Sequence, residues 1–350
     1  MVTIKDIAEK AGVSRGTVDR VLHDRGRVAP EKAKMVKEIA EKMGYQPNIA
    51  GRGLAARKKH LKIGFIYLES DAAPYHRAVY EGAREYLSEL EPYGVEVVFF
   101  PMSEVGWKPS EWTTYMEHLI GEQRMDGWAI VGTQAKTLQQ VLENRGEKEV
   151  PIVVYNMDEE NDWKLAYVGC DYLQSGRLAC GVAALLTNEC GKICIASFDH
   201  GDIPSSRVRI EGFEREIMEK YPQMQVAAKL FTDVERGTGD TSDLVPKVKA
   251  FLNDHEVDVL YLVNPGDYSI CRQISRVGVK HKIKIITNDL VTQEQQEMVR
   301  SGDIAVTICQ EPEKQGAKPL EILFNYLALG MEPEDPWYKT ELSVRIGQNV

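Results

Sequence analysis

Arg15, Asp19 and Arg20, with Gly16 among them, are the residues whose types and spacing most directly imply chemistry. Guanidinium groups at this spacing present paired N–H donors to phosphate oxygens or to a base edge, and Arg on guanine is the commonest specific protein–DNA contact. They need a helix that buries its other face, and the flanking residues supply one. Val18, Val21 and Leu22 face inward, Ser14 is placed to cap the helix start, and Gly12 allows a tight turn that Val13 plugs. Upstream, Ile4, Ala8 and Ala11 recur at helical spacing, with Thr3 as cap and Asp6 three residues on. Pro30 and Glu31 suit the first turn of a third helix, whose Ala33, Val36, Ile39, Ala40 and Met43 pack on the first two. Two short helices joined by a Gly-centred turn have the form of a helix-turn-helix DNA reader. So small a core is marginal by itself, so attachment to a larger body or a partner is expected.

Charge points the same way. The whole chain carries a formal net charge of -10, yet residues 1–60 hold 14 Lys and Arg against 7 Asp and Glu. The remaining residues hold 29 against 46, so a basic head (+7) sits on an acidic body (-17). That asymmetry fits a chain that meets phosphate at one end only.

A second set of candidate groups follows the apolar runs of residues 61–350. Those runs alternate with amphipathic segments such as Tyr75–Leu90, Ser175–Thr187 and Ser206–Lys220. The expected strands are Lys62–Leu68, Val95–Phe100, Gly127–Val131, Ile152–Tyr155, Lys192–Ser197, Val226–Phe231, Val257–Val263, Lys284–Thr287 and Ile304–Ile308, with a last strand-like run at Glu341–Ile346. Alternation of this kind predicts parallel sheets with helices on both faces, and ligands in such folds sit at the carboxyl ends of strands. Polar and aromatic residues stand just there: Tyr75 and His76, Gln134, Asn156, Asn264, Asp289 and Gln310, with Arg209 near a helix start. Each has a plainer reading too. Arg209 could pair with Glu211 or Asp202, Asp289 could cap a helix near Thr292, and Asn264 could belong to a turn. His76 could respond to pH or to an acidic ligand.

The first 57 residues resemble the headpiece of the lactose-repressor (GalR/LacI) family of bacterial transcription regulators. The resemblance rests on Thr3 to Ala8, Ala11-Gly12-Val13-Ser14, Thr17-Val18, Arg20-Val21-Leu22, Gly44-Tyr45, Pro47-Asn48 and Leu54-Ala55. It implies that Arg15 and Gly16 meet base edges in the major groove and that Arg20 reaches further along it. It implies that Thr3, Ser14, Thr17 and Asn48 position phosphates, and that Asn48 to Arg57 forms a hinge helix whose Leu54 wedges into the minor groove. Gly51 and Gly53 each cost a helix about 1 kcal/mol, so that hinge should not hold alone. Asp19 departs from the family's usual Ser. It turns toward a base amino group, pairs with Arg15 or Arg20, or marks a different operator preference, and pairing with Arg15, four residues earlier, is favoured.

The rest resembles, more loosely, sugar-binding periplasmic proteins and the effector domains of the same family. Pro74-Tyr75-His76 stands where that family often has Pro-Phe-Phe, and Asn156, Arg209, Asn264, Asp289 and Gln310 match positions that usually bind hydroxyls. The implied architecture is an all-α helix-turn-helix headpiece (1–46), a hinge (47–60) and an α/β two-lobed periplasmic-binding-protein-like domain (61–350). Lobe one is expected at about 61–167 and 312–335, lobe two at about 168–310 and 336–350.

The implied function is a cytoplasmic, ligand-responsive regulator, a repressor by expectation and not an enzyme. Its expected partners are operator DNA, a small sugar or polyol and a second copy of itself in a homodimer. Two alternatives are a cytosolic sugar-binding or sugar-processing protein with a vestigial headpiece, and a regulator controlled by a phosphoprotein corepressor. Six cysteines, Cys170, Cys180, Cys190, Cys194, Cys271 and Cys309, show no zinc-type spacing and read as core thiols in a reducing compartment, so no metal or cofactor is expected. No apolar run approaches the ~20 residues that span a bilayer.

Overall fold

A computed structural model describes residues 4–22, 28–43, 60–69, 74–103, 111–158, 162–199, 203–232, 243–264, 268–275 and 283–350. Within the headpiece, α1 (Ile4–Ala11), α2 (Arg15–Leu22) and α3 (Pro30–Lys42) close on Ile7, Ala8, Val18, Val21, Val36 and Ala40. Ile7 is fully buried although it lay outside the expected stripe. Gly12 takes φ +63°, and the Val13 amide reaches back to the Ala8 carbonyl at 3.1 Å, so α1 ends in a left-handed glycine cap. Ser14 Oγ then accepts the Thr17 amide at 3.1 Å and caps α2.

Two six-stranded sheets form the body. The first takes β1 (Lys62–Glu69), β2 (Glu96–Ser103), β3 (Gly127–Val131), β4 (Ile152–Tyr155) and β5 (Ala166–Gly169). The second takes β6 (Lys192–Ser197), β7 (Gln225–Phe231), β8 (Val259–Asn264), β9 (Lys284–Asn288) and β10 (Val306–Cys309). The chain then returns to the first sheet with β11 (Trp337–Lys339) and crosses back with β12 (Ser343–Arg345). Every pairing is parallel except that of β12 with β10.

Helices α4 (Pro74–Leu90), α5 (Trp112–Ile120) and α6 (Ala135–Asn144) link the first strands. The second sheet has α7 (Tyr172–Thr187), α8 (Pro204–Lys220), α9 (Leu244–Asp254), α10 (Ser269–Ser275) and α11 (Gln293–Ser301), and α12 (Pro312–Leu329) leads back to the first. Sheet faces sort by parity. Ile193, Ile195, Val259, Tyr261 and Val263 pack in one apolar cluster, while Cys194, Ala196, Leu260 and Leu262 pack in another, as a sheet covered on both faces requires.

Two strands escape the sequence reading, and both change the expected division, since β5 carries the first sheet to Gly169, past the expected boundary at 167. β5 and β11 hold only four and three residues, too few to show a period. β11 pairs with β5 in the first sheet, so the expectation that residues 336–350 all belong to lobe two is corrected for 336–339. Packing explains it: the Trp337 ring lies 5.8 Å from Tyr167, and its Nε1 donates to the Gly169 carbonyl at 3.0 Å. The expected run Glu341–Ile346 shortens to β12.

Helix packing fixes where one key side chain starts. A Cβ on Gly176 of α7 would fall 1.9 Å from the Arg209 carbonyl, and one on Gly212 of α8 would fall 2.1 Å from that of Leu173. The two backbones are therefore in direct contact, which sets Arg209 against the first turn of α7.

Candidate functional site

On the headpiece, Arg15, Gly16 and Arg20 lie exposed on α2. The Arg20 side chain turns back on its own helix. Its Nε donates to the Gly16 carbonyl at 3.0 Å, folding the guanidinium over the bare backbone of Gly16. The hydroxyls of Ser14 and Thr17 bond each other at 2.9 Å. Thr3, Asn48 and Leu54 lie outside the described residues, as does the Asp19 side chain with its expected pairing to Arg15.

In the body, the candidate residues stand at the carboxyl ends of parallel strands. Tyr75 and His76 open α4 after β1, Gln134 ends a short 3-10 turn after β3, and Asn156 follows β4. Asn264 ends β8, while Asp289 and Gln310 come directly after β9 and β10. Asn156 and Asp289 both take φ +68°, a left-handed conformation that Asn and Asp tolerate best among non-glycine residues.

A chain of side-chain hydrogen bonds runs between the sheets. Gln310 Nε2 donates to both carboxylate oxygens of Asp289, at 3.1 and 3.3 Å. The Oε1 of Gln310 accepts from the Cys170 thiol at 3.0 Å. Fully buried Gln315, in the first turn of α12, donates to the Gln310 carbonyl at 3.0 Å and to Thr340 Oγ1 at 3.3 Å, and accepts from Asn156 Nδ2 at 3.3 Å. Its bonds therefore touch two of the three segments that cross between the sheets. The Asn156 carbonyl in turn accepts from the hydroxyls of Tyr167 (2.7 Å) and Tyr172 (2.8 Å), which fixes the strained residue.

Arg209 is 5% exposed. Its guanidinium stacks 4.8 Å above the Tyr172 ring, and Nε donates weakly to Ser175 Oγ at 3.4 Å. Burial, the largest single influence, opposes its charge, but the fields of Asp289, Cys170, Tyr172 and Tyr261 together outweigh it and hold it protonated. For Asp289, burial dominates and raises the carboxyl to about 6, against the lowering pull of Arg209 and the Gln310 amide. Burial lowers the His76 imidazole to about 4, so near neutral pH it is an uncharged ring set edge-on to Tyr75. The Tyr75 hydroxyl is buried in the field of Asp289, close to Asn156, yet makes no well-formed hydrogen bond.

Tyr75, Asn156, Arg209, Asp289 and Gln310 are thus gathered, joined by Cys170, Tyr172 and Gln315, which the sequence reading missed. Tyr172 was discoverable, since it directly follows Asp171, the N-cap of α7. Gln310 turns out to orient Asp289. Asn264 belongs to a neighbouring cluster, donating to Asp199 at 3.2 Å, where Ser197 and Ser206 also donate. Gln134 is buried and, among the described residues, accepts from Thr137 alone, at 3.4 Å. Of the plainer readings, Glu211 pairs with Arg215 instead of Arg209, while Asp202 lies outside the described residues, and Thr292 with Gln295 forms the capping box of α11. The cysteine expectation needs one correction, because Cys190 is exposed beyond the α7 terminus, its Sγ 3.2 Å from the Asn188 carbonyl.

Two parallel sheets with polar groups at their strand ends define a periplasmic-binding-protein-like fold. Comparison with known families agrees: a periplasmic binding protein domain matches residues 121–331, and the lacI family of bacterial regulatory proteins matches residues 3–48. The chain belongs to the periplasmic binding protein domain family and carries a lacI-family headpiece. It is 27% identical over 179 residues to catabolite control protein A of Staphylococcus epidermidis, covering 51% of this chain and 50% of that one. Against the same-named protein of Priestia megaterium it is 26% identical over 218 residues, 62% and 61% of the two chains. The chain spans about half to three fifths of the length of these relatives. The fold is that of an arabinose binding protein from Geobacillus stearothermophilus, with TM-score 0.65, 21% identity, and coverage of 83% of this chain and 97% of that one.

Proposed function

We propose that this chain is a sequence-specific DNA-binding transcription regulator. It acts as a homodimeric repressor whose operator affinity is switched by a small sugar or polyol held between the two sheets. The observation that carries this reading is the pairing of two unlike sites in one chain. Exposed arginines line a capped α2, and a buried set of hydrogen-bonding groups with unmet capacity lies at the strand ends. Arg15 and Arg20 supply base and phosphate contacts; Tyr75, Asn156, Arg209 and Asp289 supply donors and acceptors for hydroxyls. These groups hold a ligand and are not arranged around a nucleophile, so the role assigned is binding. The homodimer follows from operator geometry, because one headpiece covers one half-site. It works in the cytoplasm, where the DNA is.

A mobility-shift titration against the DNA upstream of the chain's own coding region tests this. Wild-type chain should retard that DNA specifically, and Arg20→Ala should weaken binding by about tenfold or more. If Arg15→Ala and Arg20→Ala both bind as the wild type does, the DNA-reading assignment fails.

A further inference from the structure

Arg209 presents a surplus of donors. One face of its guanidinium is covered by Tyr172, and among the described residues Nε alone is hydrogen-bonded, to Ser175 Oγ at 3.4 Å. No carboxylate among the described residues lies within 4.0 Å of it, although it is 5% exposed. Among the described residues its Nη1 and Nη2 have no hydrogen-bond partner, which leaves a fork of parallel N–H groups, the geometry that accepts a carboxylate bidentately. Asp289 is near enough to act through its field, but Gln310 Nε2 holds both its oxygens.

The other groups divide by polarity. The buried Tyr75 hydroxyl supplies a further free donor. Asn156 has its Nδ2 on Gln315, so it offers its Oδ1 as an acceptor, as Asp289 offers its remaining lone pairs. His76 is neutral near pH 7 and adds no positive charge. A ligand that satisfies this set carries an anion at one end and hydroxyl donors at the other. A neutral polyol would meet the fork with separate hydroxyls, whereas a carboxylate engages both parallel N–H groups at once.

Resting on the effector-site reading above, we infer that the ligand is a polyhydroxy carboxylate, a sugar acid, whose carboxylate sits on the Nη edge of Arg209 and whose hydroxyls meet Asp289 and Asn156. The site then discriminates by charge as well as by hydroxyl pattern.

Thermal-shift and calorimetric titrations of the full chain test it, at pH 7.5 and matched ionic strength. The probes are sodium D-gluconate, D-galactonate, D-glucuronate and D-galacturonate, each beside its neutral counterpart: sorbitol, galactitol, D-glucose and D-galactose. At least one acid should bind about tenfold or more tightly than its neutral partner. Arg209→Lys, which keeps the charge but loses the fork, should abolish most of that preference. Tyr75→Phe deletes one oxygen at the cleft edge, guards against a misfolded Arg209 variant, and should lower acid affinity by several-fold. If a neutral sugar binds as tightly as its acid, the sugar-acid inference falls and the effector site stands. If all eight probes leave the chain unchanged, both fall.

Discussion

On the function proposed above, the headpiece and the body would meet their ligands in opposite ways. In the headpiece, Ile7, Val18 and Val36 are fully buried while Arg15 and Arg20 stand in solvent, so reading residues and core residues are separate sets. In the body, the candidate residues are themselves buried: Arg209 and Asn156 are each 5% exposed. Polyanionic DNA is met over an open surface, where counterion release drives binding. A small uncharged or singly charged molecule offers no such reservoir, so specificity must come from desolvated groups that each need a partner. One consequence is that headpiece and body should fail independently.

Ile7→Ala is the strongest way to break the comparison. Emptying a fully buried Ile site costs about 2–5 kcal/mol, more than three short helices around six buried residues can absorb. DNA binding should vanish while the main calorimetric transition of the body keeps its midpoint; joint loss of both would show that the two regions are not independent. Next in size, Arg209→Gln should remove ligand-induced stabilisation almost entirely and leave DNA affinity without ligand unchanged. Mobility-shift and thermal-shift assays on the same preparation would separate the two effects.

Gln315→Leu sharpens the comparison inside the body. It strands Asn156 Nδ2 and the Gln310 carbonyl, at about 1–3 kcal/mol of body stability, read as a lower urea midpoint at unchanged slope. Gly176→Ala, by pushing α7 from α8 at the Arg209 carbonyl, should weaken ligand binding through displacement of Arg209.

The smallest effects are in pH dependence, where two groups oppose each other. The Asp289 carboxyl is raised to about 6 in the fold, so its contribution is full below the unfolded value near 3.8 and is lost as pH rises through 6. His76 is lowered to about 4, so its contribution is present above the unfolded value near 6.5 and is lost as pH falls toward 4. Between pH 4 and 6 the slopes offset in the wild type. Asp289→Asn should leave stability rising with pH over that window, and His76→Gln should leave it falling, by urea melts at each pH. Equal slopes in both variants would remove these two groups from the account.

How much was legible in the sequence differs between the regions for a physical reason. The headpiece motif is contiguous: Gly12 at positive φ, Ser14 on the Thr17 amide and Val18 in the core all act within seven residues, so local chemistry specifies them. The cleft is assembled from the ends of strands far apart in the chain. Parallel order tells which residues stand at strand ends, and so names Tyr75, Asn156, Asp289 and Gln310 as candidates, with Arg209 added near a helix start. It could not tell which of them bond each other. Gln315 lies inside a helix, five residues past Gln310, and acquires its role only because α12 packs beside β4 and β5. Arg20 folding onto Gly16 is equally invisible to spacing, since i−4 back-bonding and outward extension share one pattern. β11 was missed because three residues carry no period and its partner, β5, precedes it by some 170 positions.

Operator affinity measured with and without ligand is the most direct test of the whole account. Fluorescence anisotropy with the upstream DNA should be run on wild type and Arg209→Gln, each with saturating amounts of the best-binding probe. For wild type, ligand should change the DNA Kd by about fivefold or more, the usual scale of coupling between two sites. Arg209→Gln should show the wild-type Kd without ligand and no response to it. A wild-type Kd that stays the same at saturating ligand would contradict the account.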